Sequence, residues 1–321
     1  MTPDRLVVAK RNSGLGDCLV SLLAAWRFAR ATGRTLVADW RFSPYAHWSK
    51  VNLLAEAFQP PAALDGVPFL GDYRVNELRP AGPFHPPDWD ATTLHVYSRV
   101  DHRRSMAEQE AAVRLILSGE DVPAPVVVFD GCLVEALPDA ETCRRLLTQL
   151  PPVPTVADRV EAFAAEHFGA RPIVGLHVRH GNGGGVMDLA AFWADPPAAL
   201  ARIVAVTEAA TRALASVTGT DPLLFLCTDS TDIEAAFPHA LTRRKFFREP
   251  GAGELHNWPL AFVTRNDALV EMLLLGRTDV LVRCPRGSFF SFYGAIMKRR
   301  APVDDLVALR GGKGRLFPAL C

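Results

Sequence analysis

A chain of 321 residues is long for a single hydrophobic core and is typical of two domains. With 49% hydrophobic and 22% charged residues and a formal net charge of zero, the composition is that of a globular protein and argues against a nucleic-acid-binding protein. The N-terminus lacks the pattern of a secretory signal and no apolar run reaches about 18 residues, so we expect a cytoplasmic protein without a membrane span.

The cysteines are far apart in the sequence. None forms a C-x-x-C pair, so neither a zinc ribbon nor a thioredoxin-type motif is indicated. We expect buried, reduced thiols, as is typical of a cytoplasmic protein. The six are Cys18, Cys132, Cys143, Cys227, Cys284 and Cys321.

The chain opens with the pattern of a strand, a turn and a helix. Residues 6–9 are an apolar strand candidate, and residues 12–17, NSGLGD, are typical of a turn. The next strand candidate is TLVAD, residues 35–39, and Gly33 can cap the intervening helix. The apolar face of that helix is formed by Leu19, Leu22, Leu23, Trp26 and Ala29. Such a βαβ unit opens a doubly wound parallel sheet.

The region that follows is less regular and rich in proline and aromatic residues. Between residues 40 and 129 we predict only two strands, 93–97 and 126–129. Prolines at 151, 152 and 154 indicate a linker, because proline cannot continue a helix and stiffens a connection. We therefore expect a first domain at 1–152 and a second at 153–321.

The second half alternates between helix and strand patterns, which implies a parallel sheet. The expected fold class is α/β, with two Rossmann-like domains that face a cleft, as in GT-B glycosyltransferases. The predicted helices are 156–168, 197–217, 232–237, 266–275 and 287–298, and the predicted strands are 173–178, 223–227 and 279–283.

Residues 173–188, IVGLHVRHGNGGGVMD, read as a buried strand that leads into a polar, glycine-rich loop. Ligands of open α/β sheets bind outside the carboxyl ends of the strands. Arg179 offers a fork of donors matched to phosphate oxygens, and His177 shares a strand face with it. Successive glycines at 183–185 allow backbone amides to approach an anion. This pattern predicts a site for a phosphorylated ligand. The alternative is that His177 and Arg179 take part in an ion pair between the two domains.

A metal site is not indicated by the histidines of this motif. His177 and His180 are three residues apart, so they point to opposite faces while the strand lasts. No neighbouring set of carboxylates and histidines completes a coordination shell.

Two further strand ends carry short polar residues. The first turn contains Gly14 and Gly16 but lacks the third glycine of a dinucleotide fingerprint, since Leu19 stands there, so a nicotinamide dehydrogenase is poorly supported. Its amides can face a ligand, or the turn can simply be tight. Asp229 and Ser230 follow the strand LLFLC and can either bind a nucleotide or cap the next helix.

The last third of the chain contributes two more candidates. Ser288 and Phe289 stand in RGSFFSF, where a predicted helix N-terminus would attract an anion. Glu271 interrupts the apolar run ALVEMLLL, and a carboxylate on a buried helix needs a partner. That partner can be a ribose, a base or a neighbouring arginine.

Four segments together resemble the α1,6-fucosyltransferase family, most closely its rhizobial nodulation branch. They are GLGDCLVSLLAAWRFARATGRTLVADWR near the start, GLHVRHGNGGGVMD, LCTDS, and ALVEMLLLGRTDVLVRCPRGSFFSFYGAIM. The resemblance covers most of the chain except the irregular part of the first half, and the H-V-R-H-G-N-G run is its most specific motif.

The resemblance implies an inverting, metal-independent enzyme without a cofactor, in which the second domain binds the donor GDP-fucose and the first binds a glycan acceptor. It places Arg179 on the β-phosphate and His177 beside the nucleotide, with Gly181 and Asn182 in the same motif. It also assigns nucleotide binding to Asp229, Ser230, Glu271 and Ser288.

The chain departs from the family pattern at two positions. His180 replaces a second arginine of eukaryotic relatives, as in the bacterial branch. A glutamate proposed as the base in those relatives falls near Met187, and we assign Asp188, one residue away, as its substitute. A chitooligosaccharide or another GlcNAc-containing glycan is the acceptor that the resemblance implies.

The expected activity is therefore GDP-fucose-dependent transfer, in which Arg179 stabilises negative charge on the departing diphosphate. Two alternatives stay open on the residues alone. The same phosphate clamp can serve another nucleotide sugar, and a non-catalytic nucleotide- or glycan-binding protein can carry the same fold.

Overall fold

The computed structural model describes residues 5–43, 50–95, 105–180, 192–243, 265–284 and 288–297. The chain divides into two compact units, Met1–Pro154 and Thr155–Cys321. Each unit contains a mainly parallel sheet covered by helices, which confirms the predicted α/β class.

The first unit is built on a sheet with the strand order β3-β4-β2-β1-β6-β5. Its pairs are parallel except β3 with β4, which is antiparallel. The strands are β1 (Leu6–Lys10), β2 (Thr35–Asp39), β3 (Ala63–Leu64), β4 (Val67–Leu70), β5 (Phe84–His85) and β6 (Val126–Phe129). The helices are α1 (Leu15–Thr32), α2 (Leu53–Ala57), α3 (Ala91–His95), α4 (Met106–Ser118) and α5 (Ala140–Thr148), and short 3₁₀ helices cover Tyr73–Glu77 and Val134–Ala136.

The opening βαβ unit forms as its sequence pattern predicts. All of β1 is buried, and the predicted apolar face of α1 is buried with it. Gly33 ends α1 at φ +64°, a conformation that costs glycine little, and its amide donates to the carbonyl of Ala29. The helix therefore stops where β2 has to begin.

A buried ionic cluster joins the ends of β1 and β2, where Lys10 pairs in register with Asp39. The Lys10 Nζ atom lies 2.9 Å from Asp39 Oδ2, and Arg41 donates to both carboxylate oxygens at 2.7 and 2.5 Å. All three side chains are at most 1% exposed. Burial alone would raise the pKa of the Asp39 carboxyl, but the charges of Lys10 and Arg41 outweigh it and the pKa lies below its usual value.

The strand predicted at 93–97 is wrong for the residues that the structure describes, because residues 91–95 form helix α3. Asp90 starts this helix, since its carboxylate accepts a hydrogen bond from the Thr93 amide at 2.6 Å. Leu94 packs into the core of the first unit from the helix. The cap and one buried leucine thus outweigh the β-branched residues that favoured a strand.

The proline cluster is tied to the first unit by backbone hydrogen bonds. The Gln59 amide donates to Pro151 O at 2.8 Å, and the Val153 amide donates to Ala57 O at 3.0 Å. Pro154, the last residue of the first unit, begins the helix that continues into the second unit, a position where its missing amide costs no hydrogen bond.

The second unit contains a parallel sheet with the strand order β10-β7-β8-β9. The strands are β7 (Ile173–Val178), β8 (Leu223–Thr228), β9 (Leu241–Thr242) and β10 (Val280–Cys284). The helices are α6 (Pro154–Phe163), α7 (Pro196–Thr218), α8 (Thr231–Ala236), α9 (Arg265–Leu275) and α10 (Phe290–Ile296). Ala164–Phe168 continues α6 as a π-helical turn, so the predicted helix 156–168 changes its winding before Gly169 ends it.

Gly175, in the middle of β7, is closely approached by a buried threonine. A Cβ atom at this position would lie 2.8 Å from both Oγ1 and Cγ2 of Thr278, which is 1% exposed and donates a hydrogen bond to Leu275 O. Burial and the hydrogen bond to Leu275 O hold the Thr278 side chain in place, so the contact leaves space for glycine alone.

Gly175→Ala is expected to lower the free energy of unfolding by about 1–3 kcal/mol, the usual cost of overpacking a core. The measurement is the urea midpoint of the variant against that of the unchanged protein. The double variant Gly175→Ala with Thr278→Ala should regain part of the loss, because it removes the side chain that the new methyl group meets. Equal midpoints for all of these proteins would contradict the expectation.

Among the described residues, four cysteines form no disulfide: Cys18, Cys132, Cys143 and Cys227. Burial raises the pKa of the Cys143 thiol to about 12, and the pKa values of Cys18 and Cys132 are raised as well. Cys284 is disulfide-bonded, so the expectation of reduced thiols is wrong for this residue. Sequence spacing carries no information on which sulfur atoms the fold brings together. Among the described residues, no helix is both long and apolar enough to cross a membrane.

Candidate functional site

The candidate site lies at the carboxyl edge of the second sheet. In the parallel register, His177 of β7 stands between Cys227 of β8 and Arg283 of β10, so the side chains of this row share one face of the sheet. The residues that follow these strands continue past the same edge. The motif at residues 173–188 was expected at such an edge.

Arg179 directly follows β7. Its backbone amide is hydrogen-bonded, and its side chain is partly exposed. Its amide donates to Cys284 O at 2.8 Å. Its guanidinium donates through Nη1 to Asp229 Oδ2 at 2.7 Å and is 44% exposed, whereas the Asp229 side chain is 8% exposed. Within the described residues this is the guanidinium's single hydrogen bond, so Nε and Nη2 remain available for an anion.

Asp229 uses its second oxygen to hold the start of the glycine-rich loop. The His180 amide donates to Asp229 Oδ1 at 2.7 Å. The predicted alternative was an ion pair between domains, but Arg179 and Asp229 belong to the same unit. The pair therefore orients the guanidinium locally and neutralises its charge in part.

His177 is buried, at 4% exposure, and is fixed from two sides. Its ring stacks on Phe290 with a centroid separation of 5.0 Å and an interplanar angle of 26°. Its Nδ1 atom lies 3.1 Å from Ser291 Oγ. The ring is therefore held in one orientation by α10.

Ser230 serves as a helix cap in the structure. Its Oγ atom accepts a hydrogen bond from the Ile233 amide at 3.5 Å at the start of α8, and its own amide donates to Thr228 Oγ1 at 3.2 Å. Of the two predicted roles of Ser230, nucleotide binding and helix capping, the geometry displays capping. Its neighbour Asp229 forms the ion pair with Arg179 described above.

Glu271 is 1% exposed on α9 and lies near an arginine. Burial lowers the pKa of the Arg243 guanidinium, and the Glu271 carboxylate opposes that shift. Arg243 also donates to Asp267 Oδ1 at 2.9 Å, and Arg159 contacts the same carboxylate. The charge of a neighbouring arginine therefore acts on the buried glutamate.

Ser288 and Phe289 precede helix α10 rather than lying inside it. The carbonyl of Ser288 accepts a hydrogen bond from Arg283 Nη2 at 2.9 Å, and Phe289 occupies the N-cap position without a side-chain cap. The helix is seven residues long and shorter than predicted.

Part of the predicted site belongs to segments that the structure does not describe. Gly181, Asn182, Asp188 and the glycines at 183–185 lie outside the described residues. In the part of the chain that the structure describes, no three His, Cys, Asp or Glu side chains are grouped so that they could hold a metal ion.

Gly14 and Gly16 belong to the first unit. Gly14 is the N-cap of α1, and a Cβ atom there would lie 2.9 Å from Asp17 Oδ2. Gly16 is buried within the first turn of the same helix. The geometry is that of a tight strand-to-helix turn.

Comparison with known proteins decides the family. The family model of nodulation protein Z (NodZ) matches residues 3–311. Nodulation protein Z of Sinorhizobium fredii, strain NBRC 101917 / NGR234, is 37% identical over 308 residues, which cover 94% of each chain.

The chain belongs to the NodZ family.

Solved NodZ structures have the same fold. The crystal structure of NodZ α1,6-fucosyltransferase soaked with GDP-fucose matches with a TM-score of 0.72 and 30% identity, covering 92% of each chain. The form co-crystallised with GDP matches with a TM-score of 0.73 and 30% identity, covering 91% of this chain and 92% of that one.

Three residues at the edge escaped the sequence analysis of this NodZ-family chain. Ser291 and Arg283 support His177, and Trp193 donates through Nε1 to Arg179 O at 3.1 Å while its ring packs against His180 at 4.8 Å. A charged residue within the strand VLVRC was the available signal for Arg283, because it needs a polar partner. Nothing in the sequence distinguished Ser291 from other serines.

Proposed function

We propose that this NodZ-family chain transfers fucose from GDP-fucose to a glycan acceptor in α1,6 linkage. Relatives described as NodZ α1,6-fucosyltransferases, with GDP-fucose and with GDP, support the activity and the donor. The observation that carries the proposal is the half-exposed Arg179 guanidinium at the carboxyl edge of a parallel sheet in a chain of this family.

The donor diphosphate is proposed to lie against Arg179. The planar guanidinium matches phosphate oxygens in a bidentate manner, and Nε and Nη2 make no hydrogen bond among the described residues. His177 lies two residues earlier on the same strand. Asp229 keeps the guanidinium in place while the site is empty and shares it with the anion when the donor binds.

The chemistry that follows from this placement is displacement at the anomeric carbon of fucose. The bond from that carbon to the β-phosphate oxygen breaks as the O6 hydroxyl of a GlcNAc residue attacks from the opposite face, so the configuration inverts. Negative charge accumulates on GDP, where Arg179 stabilises it, and Asp188 accepts the proton of the attacking hydroxyl. In this proposal the first unit holds the glycan or chitooligosaccharide, and the reaction uses no metal.

The test is incubation of the purified protein with GDP-fucose and a panel of GlcNAc-containing glycans, read by mass spectrometry. The expected product is heavier than the acceptor by one fucosyl residue, and linkage analysis should place it on O6. A parallel thermal-shift series should give a larger stabilisation with GDP than with UDP at equal concentrations. A stronger response to UDP would indicate another nucleotide sugar, and tight GDP binding without turnover on any acceptor would indicate a non-catalytic nucleotide-binding protein.

A further inference from the structure

Buried hydrogen bonds through Ser291 link Arg283, on the strand next to β7, to His177. Ser291 is fully buried on α10, and its Oγ atom has three polar neighbours among the described residues. Arg283 Nε lies 2.8 Å away, His177 Nδ1 lies 3.1 Å away and Ser288 O lies 3.4 Å away. A hydroxyl has one proton to donate and two lone pairs to accept with, so these three contacts cannot be assigned independently.

The direction of the hydrogen bond between Arg283 and Ser291 follows from the chemistry of the guanidinium. A guanidinium is a donor only, so Arg283 Nε–H donates to Ser291 Oγ. The hydroxyl proton of Ser291 then points either to His177 Nδ1 or to Ser288 O. In the first arrangement His177 Nδ1 is an unprotonated acceptor, and in the second Nδ1 carries a proton and donates to Ser291.

The distances favour the first arrangement. The separation of 3.4 Å from Ser291 Oγ to Ser288 O is long for an O–H···O bond, whose usual length is about 2.7–2.8 Å. Ser288 O already accepts a hydrogen bond from Arg283 Nη2 at 2.9 Å. A hydroxyl that accepts from a charged donor is also a stronger donor itself, and His177 Nδ1 lies 3.1 Å from it.

We infer that Ser291, polarised by Arg283, is a positioning residue that holds His177 as the neutral tautomer with its proton on Nε2. His177 then has a hydrogen-bond donor, not a lone pair, on the ring nitrogen away from Ser291. A donor is the form that suits a phosphate or leaving-group oxygen, since such oxygens only accept. The identity of the ligand in this statement rests on the proposed function, whereas the tautomer does not.

Nitrogen NMR of the intact protein labelled with ¹⁵N-histidine tests the tautomer directly. The signals of His177 are identified by their loss in His177→Gln. Without nucleotide, the unchanged protein should show an unprotonated Nδ1 and a protonated Nε2. A protonated Nδ1 in the spectrum of the unchanged protein overturns the inference.

The variant Ser291→Ala separates positioning from packing. It should give a mixture of tautomers at His177 and weaken GDP binding by about tenfold, the typical effect of losing one buried hydrogen bond. The matched control is Ser21→Ala in α1, which also removes a fully buried serine hydroxyl, one that has no hydrogen-bond partner among the residues that the structure describes. It should change neither quantity.

The outcomes distinguish this inference from the proposed function. An unchanged His177 tautomer in Ser291→Ala contradicts the positioning role, whatever the enzyme does. If the spectrum shows the expected tautomer but GDP fails to bind the unchanged protein, the proposed function fails and the assignment of the ring stands.

Discussion

Replacing Arg179 with alanine is expected to lower kcat/KM for fucosyl transfer by roughly a hundredfold or more, which corresponds to about 3 kcal/mol of transition-state stabilisation. The loss should fall mainly on kcat, because the negative charge on the diphosphate grows as the bond to fucose breaks. The measurement is steady-state release of GDP with a fixed concentration of a productive acceptor.

The structure sharpens this expectation through Asp229. In Arg179→Ala the Asp229 carboxylate, at 8% side-chain exposure, loses the guanidinium that pairs with it, and its negative charge then repels the diphosphate proposed to bind beside it. The double variant Arg179→Ala with Asp229→Asn should therefore be more active than Arg179→Ala alone. A double variant no better than the single one would show that repulsion by Asp229 contributes nothing.

The matched control is Arg212→Ala on α7. Arg212 also pairs with a carboxylate of the second unit, Glu208, but the two side chains are 70% and 60% exposed. Exposed pairs of this kind contribute about 0–1 kcal/mol, and this one lies outside the candidate site, so activity and stability should both be preserved. Turnover of Arg179→Ala at the rate of this control would remove Arg179 from the mechanism.

Asp39→Asn is expected to destabilise the first unit by about 3–5 kcal/mol. The substitution preserves the size of the side chain but removes the negative charge that compensates Lys10 and Arg41, which are 0% and 1% exposed. The two buried cations would then lose the carboxylate that lies between them. Equilibrium urea unfolding followed by tryptophan fluorescence measures the change.

The control for this substitution is Asp65→Asn. Asp65 likewise lies between two cations, Arg30 and Arg145, but their side chains are 59% and 46% exposed. Its backbone φ of +49° is one that asparagine tolerates. We expect a loss below about 1 kcal/mol. Equal losses of stability for the two substitutions would contradict the expectation that burial of the neighbouring cations makes the Asp39 charge more important than that of Asp65.

Prediction from sequence succeeded where one local pattern dominates. The strand at 126–129 and the helix–strand alternation of the second unit appear within a few residues of their expected bounds. It failed at 93–95, where the Asp90 cap and the burial of Leu94 decide for a helix. Helices α4 and α5 were not predicted, although both have side-chain N-caps, at Ser105 and Asp139.

The candidate site shows the same division. The motif around Arg179 was recognisable because a buried strand that ends in polar and glycine residues places them at a sheet edge. That Asp229 would hold Arg179, and that Ser291 and Arg283 would hold His177, depends on side chains from 8 to 114 positions apart in the chain. No local pattern encodes such contacts.

The amino-acid sequence by itself determined the α/β class, the family and the strand that carries the site, because hydrophobic periodicity and a specific motif are local properties of the chain. The tertiary structure alone decided which charges are neutralised, which hydroxyl faces His177 and where a glycine is required. These outcomes depend on distances between atoms of different elements, and such distances exist only after the strands have aligned in register and the helices have packed on them.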